Sequence, residues 1–87
     1  MTEHQTEIFN ELIEYLTKND YIDSSSNVTE ESTFDSLGID SLDTASIQFD
    51  LEALYHCENI DITKYNTIKE VILKLEEITN GNNHSES

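Results

Sequence analysis

The apolar residues of the chain fall into three runs with helical spacing, separated by polar stretches. In the first run they recur on one side of a helix, as in an amphipathic element that packs on a core. Thr2 and Gln5 form a capping-box pattern at its start. The spacing therefore predicts a helix over residues 3–18. The apolar stripe consists of Ile8, Phe9, Leu12, Ile13 and Leu16.

A long polar stretch from Asn19 to Asp40 separates the first run from the second. It shows no sustained period, so we expect a loop, and loops of this length in a compact domain are often functional. The second helix should begin after Asp40, which is a good N-cap, with Asp43 at the favoured third position and Ser41 at the first. The isolated apolar residues of the loop are expected to anchor it: Tyr21, Ile22, Val28, Phe34 and Leu37.

The third run predicts a last helix that begins near residue 68. Asn66 or Thr67 is expected to cap it, with Glu70 completing a box with Thr67, and Gly81 is a natural residue for its C-terminal end. The apolar positions of this helix are Ile68, Val71, Ile72, Leu75 and Ile78.

Three helices joined by one long and one short connection predict an all-α fold, a small antiparallel helical bundle. A chain of 87 residues holds one hydrophobic core. We expect a single domain over residues 1–80 and a disordered C-terminal tail over residues 81–87.

The charge balance narrows the possible partners. The chain has 19 Asp and Glu against 4 Lys and no Arg, a net charge of -15. Nucleic acids and anionic membranes require a basic patch, so both are excluded as expected partners, and basic proteins are favoured. The single cysteine forms no internal disulfide, and no apolar run suits a signal peptide or a membrane span. These features predict a cytoplasmic protein.

Residues for metal or nucleophilic chemistry are scarce. The spacing of His4, His56 and His84 matches no zinc site, and no EF-hand loop is present. Ser41 and His56 lie about 22 Å apart along one predicted helix, so a self-activated serine is disfavoured. A half-buried structural thiol is the better interpretation of Cys57. We therefore expect no catalytic residues, no metal and no enzyme activity.

The junction between the long loop and the second helix carries the most specific pattern. The run LGIDSLD over residues 37–43 closely resembles the phosphopantetheine attachment motif of acyl and peptidyl carrier proteins, and the resemblance extends over about residues 3–79. It implies that a phosphopantetheinyl transferase moves 4′-phosphopantetheine from coenzyme A onto Ser41. A hydroxyl at a helix N-terminus suits a phosphodiester, because the positive end of the helix dipole faces it. The other cofactor-binding positions are Gly38, expected to permit a tight approach of loop and helix, Asp40 and Leu42.

The resemblance also implies the function. Carrier proteins hold biosynthetic intermediates as thioesters on the arm and present them to partner enzymes: an acyl- or aminoacyl-loading ligase or acyltransferase, and downstream synthases. A monomeric bundle with a short or irregular third helix is implied. Ser46 and Ala53 stand where fatty-acid carriers usually have glutamates, and residues 60–67 are abbreviated. These departures favour a free-standing carrier in a specialised polyketide, nonribosomal peptide, lipid or cell-wall pathway.

The second helix has two apolar stripes on nearly opposite sides, although a small bundle buries only one. Ile47, Leu51, Leu54 and Tyr55 form the stripe expected in the core. The other should face solvent as a docking surface with an acidic rim, unless Phe34 or Ile39 from the long loop covers it. The residues expected to bind partners are Leu42, Asp43, Ala45, Phe49, Asp50 and Glu52.

Two other functions are compatible with parts of the sequence. An acidic helical interaction module, such as a nucleic-acid mimic that blocks a basic surface, explains the charge but not the residues around Ser41. An enzyme with Ser41 or Cys57 as nucleophile lacks a general base.

Overall fold

The computed structural model describes residues 2–23, 27–57, 60, 62 and 67–85, with side chains described as far as Thr79. This part of the chain forms three α-helices and no strand: α1 (Glu3–Lys18), α2 (Ser41–Leu54) and α3 (Ile68–Ser85). The predicted all-α class and its three main helices are confirmed. The Cα radius of gyration is 12.6 Å, close to the ~12 Å of a compact domain of this length.

α1 has the predicted bounds and the predicted cap. The Gln5 amide donates to Thr2 Oγ1, and the Thr2 amide donates to Gln5 Oε1, both at 3.1 Å. At the other end Asp20 takes a left-handed conformation with φ 64°. Its amide donates to the Thr17 carbonyl at 3.1 Å. Residues next to α1 in sequence therefore supply hydrogen-bond partners to backbone groups at both ends of the helix.

Hydrogen bonds between side chains fix the direction of α2 relative to α1. The Tyr15 hydroxyl donates to Asp50, and the Tyr55 hydroxyl donates to Glu11 Oε2 at 3.1 Å. The residue numbers rise along one helix as they fall along the other, so α1 and α2 are antiparallel.

α3 is antiparallel to α1 by the same reasoning. Gln5 Nε2 donates to Glu76 Oε1 at 2.9 Å, and His4 Nε2 lies 3.0 Å from Thr79 Oγ1. The N-terminus of α1 therefore packs beside the C-terminal half of the described α3 side chains.

The core lies among the three helices and is completed by the long loop. Ile22, Phe34 and Ile39 of the loop are buried in the same core as the helix residues, so apolar burial holds the loop against the bundle. The predicted anchors Tyr21, Val28 and Leu37 pack against this core while remaining partly exposed. The buried apolar residues are Ile8, Leu12, Leu16, Ile22, Phe34, Ile39, Ile47, Leu51, Ile60, Ile62, Ile68, Val71, Ile72 and Leu75.

The loop also supplies hydrogen-bond acceptors to the start of α3. The Ile68 amide donates to the Ser32 carbonyl at 2.8 Å, and the Lys69 amide donates to the Glu30 carbonyl at 2.9 Å. The Glu70 amide donates to Thr67 Oγ1 at 3.4 Å, which is one hydrogen bond of the predicted box. The alternative cap, Asn66, lies outside the described residues.

The predicted end of the last helix is wrong. α3 continues through Gly81 to Ser85, so Gly81 does not end it, and residues 86–87 lie outside the described part. A glycine inside a helix costs only about 1 kcal/mol relative to alanine, and each further helical residue adds a backbone hydrogen bond. The expected short third helix falls on residues 58–66, of which only Ile60 and Ile62 are described, both buried.

Candidate functional site

A single helical turn directly precedes α2 and determines how the chain enters it. Thr33 and Ser36 hold the start of this turn with reciprocal hydrogen bonds, in the manner of a cap. The Ser36 amide donates to Thr33 Oγ1 at 2.9 Å, and the Thr33 amide donates to Ser36 Oγ at 3.0 Å. The polar residues of the loop therefore form a defined local structure, which their lack of periodicity does not reveal.

Gly38 closes this turn in a left-handed conformation with φ 80°. The Gly38 amide donates to the Asp35 carbonyl at 3.0 Å, and the Ile39 amide donates to the Phe34 carbonyl at 2.9 Å. This is the hydrogen-bond pattern of a Schellman motif, in which glycine is preferred because it has no Cβ. The expected tight approach of loop and helix is wrong: a Cβ at this position would meet nothing within 4 Å. Gly38 is needed here for its backbone angle.

Asp40 begins α2 as predicted. Its backbone is extended, with φ -81° and ψ -179°, and its Oδ1 accepts from the Asp43 amide at 2.8 Å. Its carbonyl accepts from the hydroxyl of Thr44 at 2.7 Å. Thr44 is buried, a position that the sequence analysis missed because threonine interrupts the apolar stripe. Asp40 is therefore a structural cap, and it fixes the orientation of the first turn of α2.

Ser41 occupies the first position of α2 and is exposed. Within the described part of the chain, its hydroxyl has no hydrogen-bond partner. An exposed primary hydroxyl at the positive end of a helix dipole is accessible to a second protein and favourable for an attached anion.

The described histidines are not placed to activate this hydroxyl. His56 follows the opposite end of α2. His4 lies at the N-terminus of α1, which is antiparallel to α2, so it too is far from Ser41, and its ring contacts Thr79. Neither of these two histidines therefore supplies a base to the Ser41 hydroxyl.

The second apolar stripe of α2 faces solvent, as predicted. Leu42 is 80% exposed and Phe49 is 69% exposed, and Ala45 is exposed between them. The alternative that Phe34 or Ile39 covers Phe49 is wrong, because the Phe49 ring remains largely exposed while both loop residues are buried in the core.

One residue of the expected core stripe lies outside the core. Ile47 and Leu51 are buried and Tyr55 is half-buried, but Leu54 is 60% exposed. Leu54 is the last residue of α2 and lies beside α1, where it lines an open groove. Helical spacing gives the direction in which a side chain points, but it does not show how far the neighbouring helix extends over that side chain.

The carboxylates expected at the rim of the exposed stripe form hydrogen bonds within the protein. Asp50 accepts from the Tyr15 hydroxyl, and Glu52 Oε2 accepts from the Ile60 amide at 3.0 Å. Asp43 is half-buried at the third position of the helix. Asp50 and Glu52 thus have structural roles in addition to any role toward a partner.

Burial and neighbouring carboxylates shift three titratable groups. Burial raises the pKa of Tyr15, and its hydrogen bond to Asp50 raises it further. Burial also raises the pKa of Tyr55, with Glu11 as the second cause. The pKa of the half-buried Cys57 thiol is raised by burial and then by the charge of Glu52. Less thiolate forms near neutral pH as a result, which argues against a nucleophilic role for Cys57.

Among the described residues, no group of three or more His, Cys, Asp or Glu side chains could hold a metal ion. Nor does any helix in this part of the chain combine the length and apolar character needed to cross a bilayer. In comparisons with protein-family models, curated proteins and solved structures, the chain matches none.

Proposed function

We propose that the protein is a free-standing carrier protein of the acyl or peptidyl type. It would hold biosynthetic intermediates as thioesters on a 4′-phosphopantetheine arm attached to Ser41 and present them to partner enzymes of a specialised pathway in the cytoplasm. The observation that carries the proposal is the exposed hydroxyl of Ser41 at the first position of α2, within the LGIDSLD run. This hydroxyl has no hydrogen-bond partner among the described residues.

The local structure suits the proposed arm. The Asp43 amide donates a hydrogen bond to the Asp40 side chain. The amides of Ser41 and Leu42, by contrast, have no hydrogen-bond partner within the described residues. Free amides at a helix N-terminus favour a phosphate group. When bound, the arm would supply a terminal thiol that carries acyl or aminoacyl groups. The chain itself would contribute the attachment hydroxyl, the helix dipole and a rigid entry through the turn closed by Gly38.

The exposed stripe of α2 suits the proposed partners. Leu42, Ala45 and Phe49 follow Ser41 on a solvent-facing side of the same helix, so an enzyme that docks there would lie beside the attachment point. We propose this surface as the contact for the transferase, the loading ligase or acyltransferase, and the synthases. The charge of -15 favours basic surfaces on those enzymes and disfavours nucleic acid. The carrier would work as a monomer with the packing of a carrier-type bundle.

Intact mass spectrometry tests the attachment. The protein is incubated with coenzyme A and a broad-specificity phosphopantetheinyl transferase, and wild type should gain the mass of one phosphopantetheine. Ser41→Ala should gain none and keep its helical circular dichroism, because the hydroxyl makes no internal contact among the described residues. Ser46→Ala, an exposed serine on the same helix, is the matched control and should still be modified. Modification of Ser41→Ala, or no modification of wild type, would contradict the proposal.

The charge alone favours a second candidate, an acidic interaction module that blocks a basic partner surface. Such a module would remain unmodified in the same mass experiment, so one measurement separates the two functions.

A further inference from the structure

A groove that none of the proposed carrier contacts uses lies between α1 and the C-terminal end of α2. It is open to solvent and encloses about 420 Å³. A smaller space of about 110 Å³, lined in part by Leu12, Leu51 and Tyr55, shares residues with it. The residues that line the groove are Glu11, Glu14, Tyr15, Lys18, Asn19 and Leu54.

Leu54 is the aliphatic residue that lines the groove. It belongs by helical spacing to the same stripe as the buried Ile47 and Leu51, yet 60% of its surface is exposed. It therefore marks a place where the core-facing side of α2 extends beyond the cover that α1 provides. Covering an exposed leucine with another apolar side chain lowers the free energy, because apolar surface is removed from water.

Two tyrosines near Leu54 are held in place before any partner binds: Tyr15, which lines the groove, and Tyr55, which lines the smaller space beside it. Tyr15 is hydrogen-bonded to Asp50, and Tyr55 is hydrogen-bonded to Glu11 at 3.1 Å. Each hydroxyl thus joins its own helix to the other one. Preorganised side chains lose little conformational entropy on binding, which favours their use as a docking site.

The charge around the groove selects the chemistry of its occupant. Glu11 and Glu14 line it, Lys18 stands at one end, and the whole chain carries -15. A second copy of this chain, or an acidic ligand, would be repelled. A basic segment would be attracted, and its apolar side chain would cover Leu54.

We propose that this groove docks a partner segment in which an aliphatic or aromatic side chain is flanked by lysine or arginine. The apolar side chain packs on Leu54 beside Tyr15, and the cationic groups pair with Glu14 and Glu11. The surface is separate from the exposed stripe of α2, because Leu54 and Phe49 point about 140° apart on the helix. Docking here needs no modification of Ser41, so it can fail or succeed independently of the carrier function.

The test is a titration of the full ¹⁵N-labelled chain with a short amidated peptide of lysine and leucine, followed by amide chemical shifts. The shifts should concentrate in residues 11–19 and 51–55. The same peptide with glutamate in place of lysine, and a lysine peptide without leucine, should bind much more weakly. Shifts confined to the Leu42 and Phe49 side, equal binding of the acidic peptide, or self-association of the chain in place of peptide binding would each overturn the proposal.

Two matched pairs of variants separate docking from general attraction to an acidic protein. Glu14→Lys should weaken peptide binding at least about fivefold, while Glu7→Lys, an exposed site on the same helix away from the groove, should weaken it much less. Leu54→Ser should weaken binding to a similar degree, whereas Leu73→Ser, at an exposed leucine of α3, should not. Equal effects within either pair would show that the groove is not the binding surface.

Discussion

Tyr15 of α1 donates its hydroxyl proton to the carboxylate of Asp50 on α2. The relationship is reciprocal one turn away, where Tyr55 at the end of α2 donates to Glu11 of α1. Each helix thus supplies one aromatic donor and one acidic acceptor. Less acidic proteins can join helices through ion pairs, but this chain has few cations. Here the neutral tyrosine hydroxyls donate to the carboxylates and so join the helices.

These contacts predict a loss of stability at alkaline pH. The folded pKa of Tyr15 and of Tyr55 lies above the ordinary value, which is about 10 for tyrosine. Their contribution is therefore complete below about pH 10 and is lost as the pH rises toward the folded values. Urea unfolding between about pH 8 and pH 11 should show a falling free energy of unfolding above pH 10. The variant with both Tyr15→Phe and Tyr55→Phe should be less stable at neutral pH and show a shallower alkaline decline; an equally steep decline would assign the effect to other groups.

Exposure on α2 predicts opposite outcomes for two apolar residues. Phe49→Ala should change the free energy of unfolding by less than about 1 kcal/mol, because the ring is 69% exposed. Ile47→Ala, at a fully buried position, should cost roughly 2–5 kcal/mol. Under the carrier proposal, Phe49→Ala should also slow transfer of the arm to Ser41. Chemical denaturation and the rate of mass gain are the two measurements, and a cooperative collapse of Phe49→Ala would contradict the solvent-facing stripe.

The left-handed angle at Gly38 predicts a moderate cost for alanine. Gly38→Ala should destabilise the fold by about 1–2 kcal/mol through its backbone angle alone, since the added methyl meets no neighbouring atom within 4 Å. Gly38→Asn should cost less, because asparagine tolerates this conformation better. Thermal unfolding of the two variants checks the order. If asparagine and alanine were equally harmful, the angle would not be the cause.

The crowded negative charge predicts that salt stabilises the protein. Sodium chloride should raise the melting temperature by screening repulsion among the carboxylates. The surface ion pair of Lys74, which is half-buried, and Glu77, which is exposed, has an N–O distance of 3.8 Å, and its weakening by salt should cost little stability. Magnesium and calcium at equal ionic strength should act alike. Saturation by one equivalent of calcium alone would instead indicate a specific site.

The sequence was sufficient for features that depend on neighbouring residues. The start of α1 at Thr2 and the start of α2 at Asp40 follow from the capping chemistry of a few adjacent side chains, and the structure confirms both. The exposure of Phe49 follows from helical spacing, because the two apolar stripes of α2 point in nearly opposite directions.

Features that depend on distant residues could not be predicted in this way. Leu54 is exposed because of where α1 lies beside it, and the bond from Tyr15 to Asp50 joins residues 35 positions apart. The sequence singles out Gly38, but it predicts a close contact there, and spacing alone does not distinguish a close contact from a left-handed angle.

The start of α3 depends on a segment far upstream in sequence. Because the Ile68 and Lys69 amides donate to the Ser32 and Glu30 carbonyls, deuterium can replace their protons only when the long loop lifts off the bundle. The exchange rates of these two amides therefore report the opening of the loop. Movement of the segment that leads into Ser41 can thus be measured by amide exchange in α3, without a probe near the serine itself.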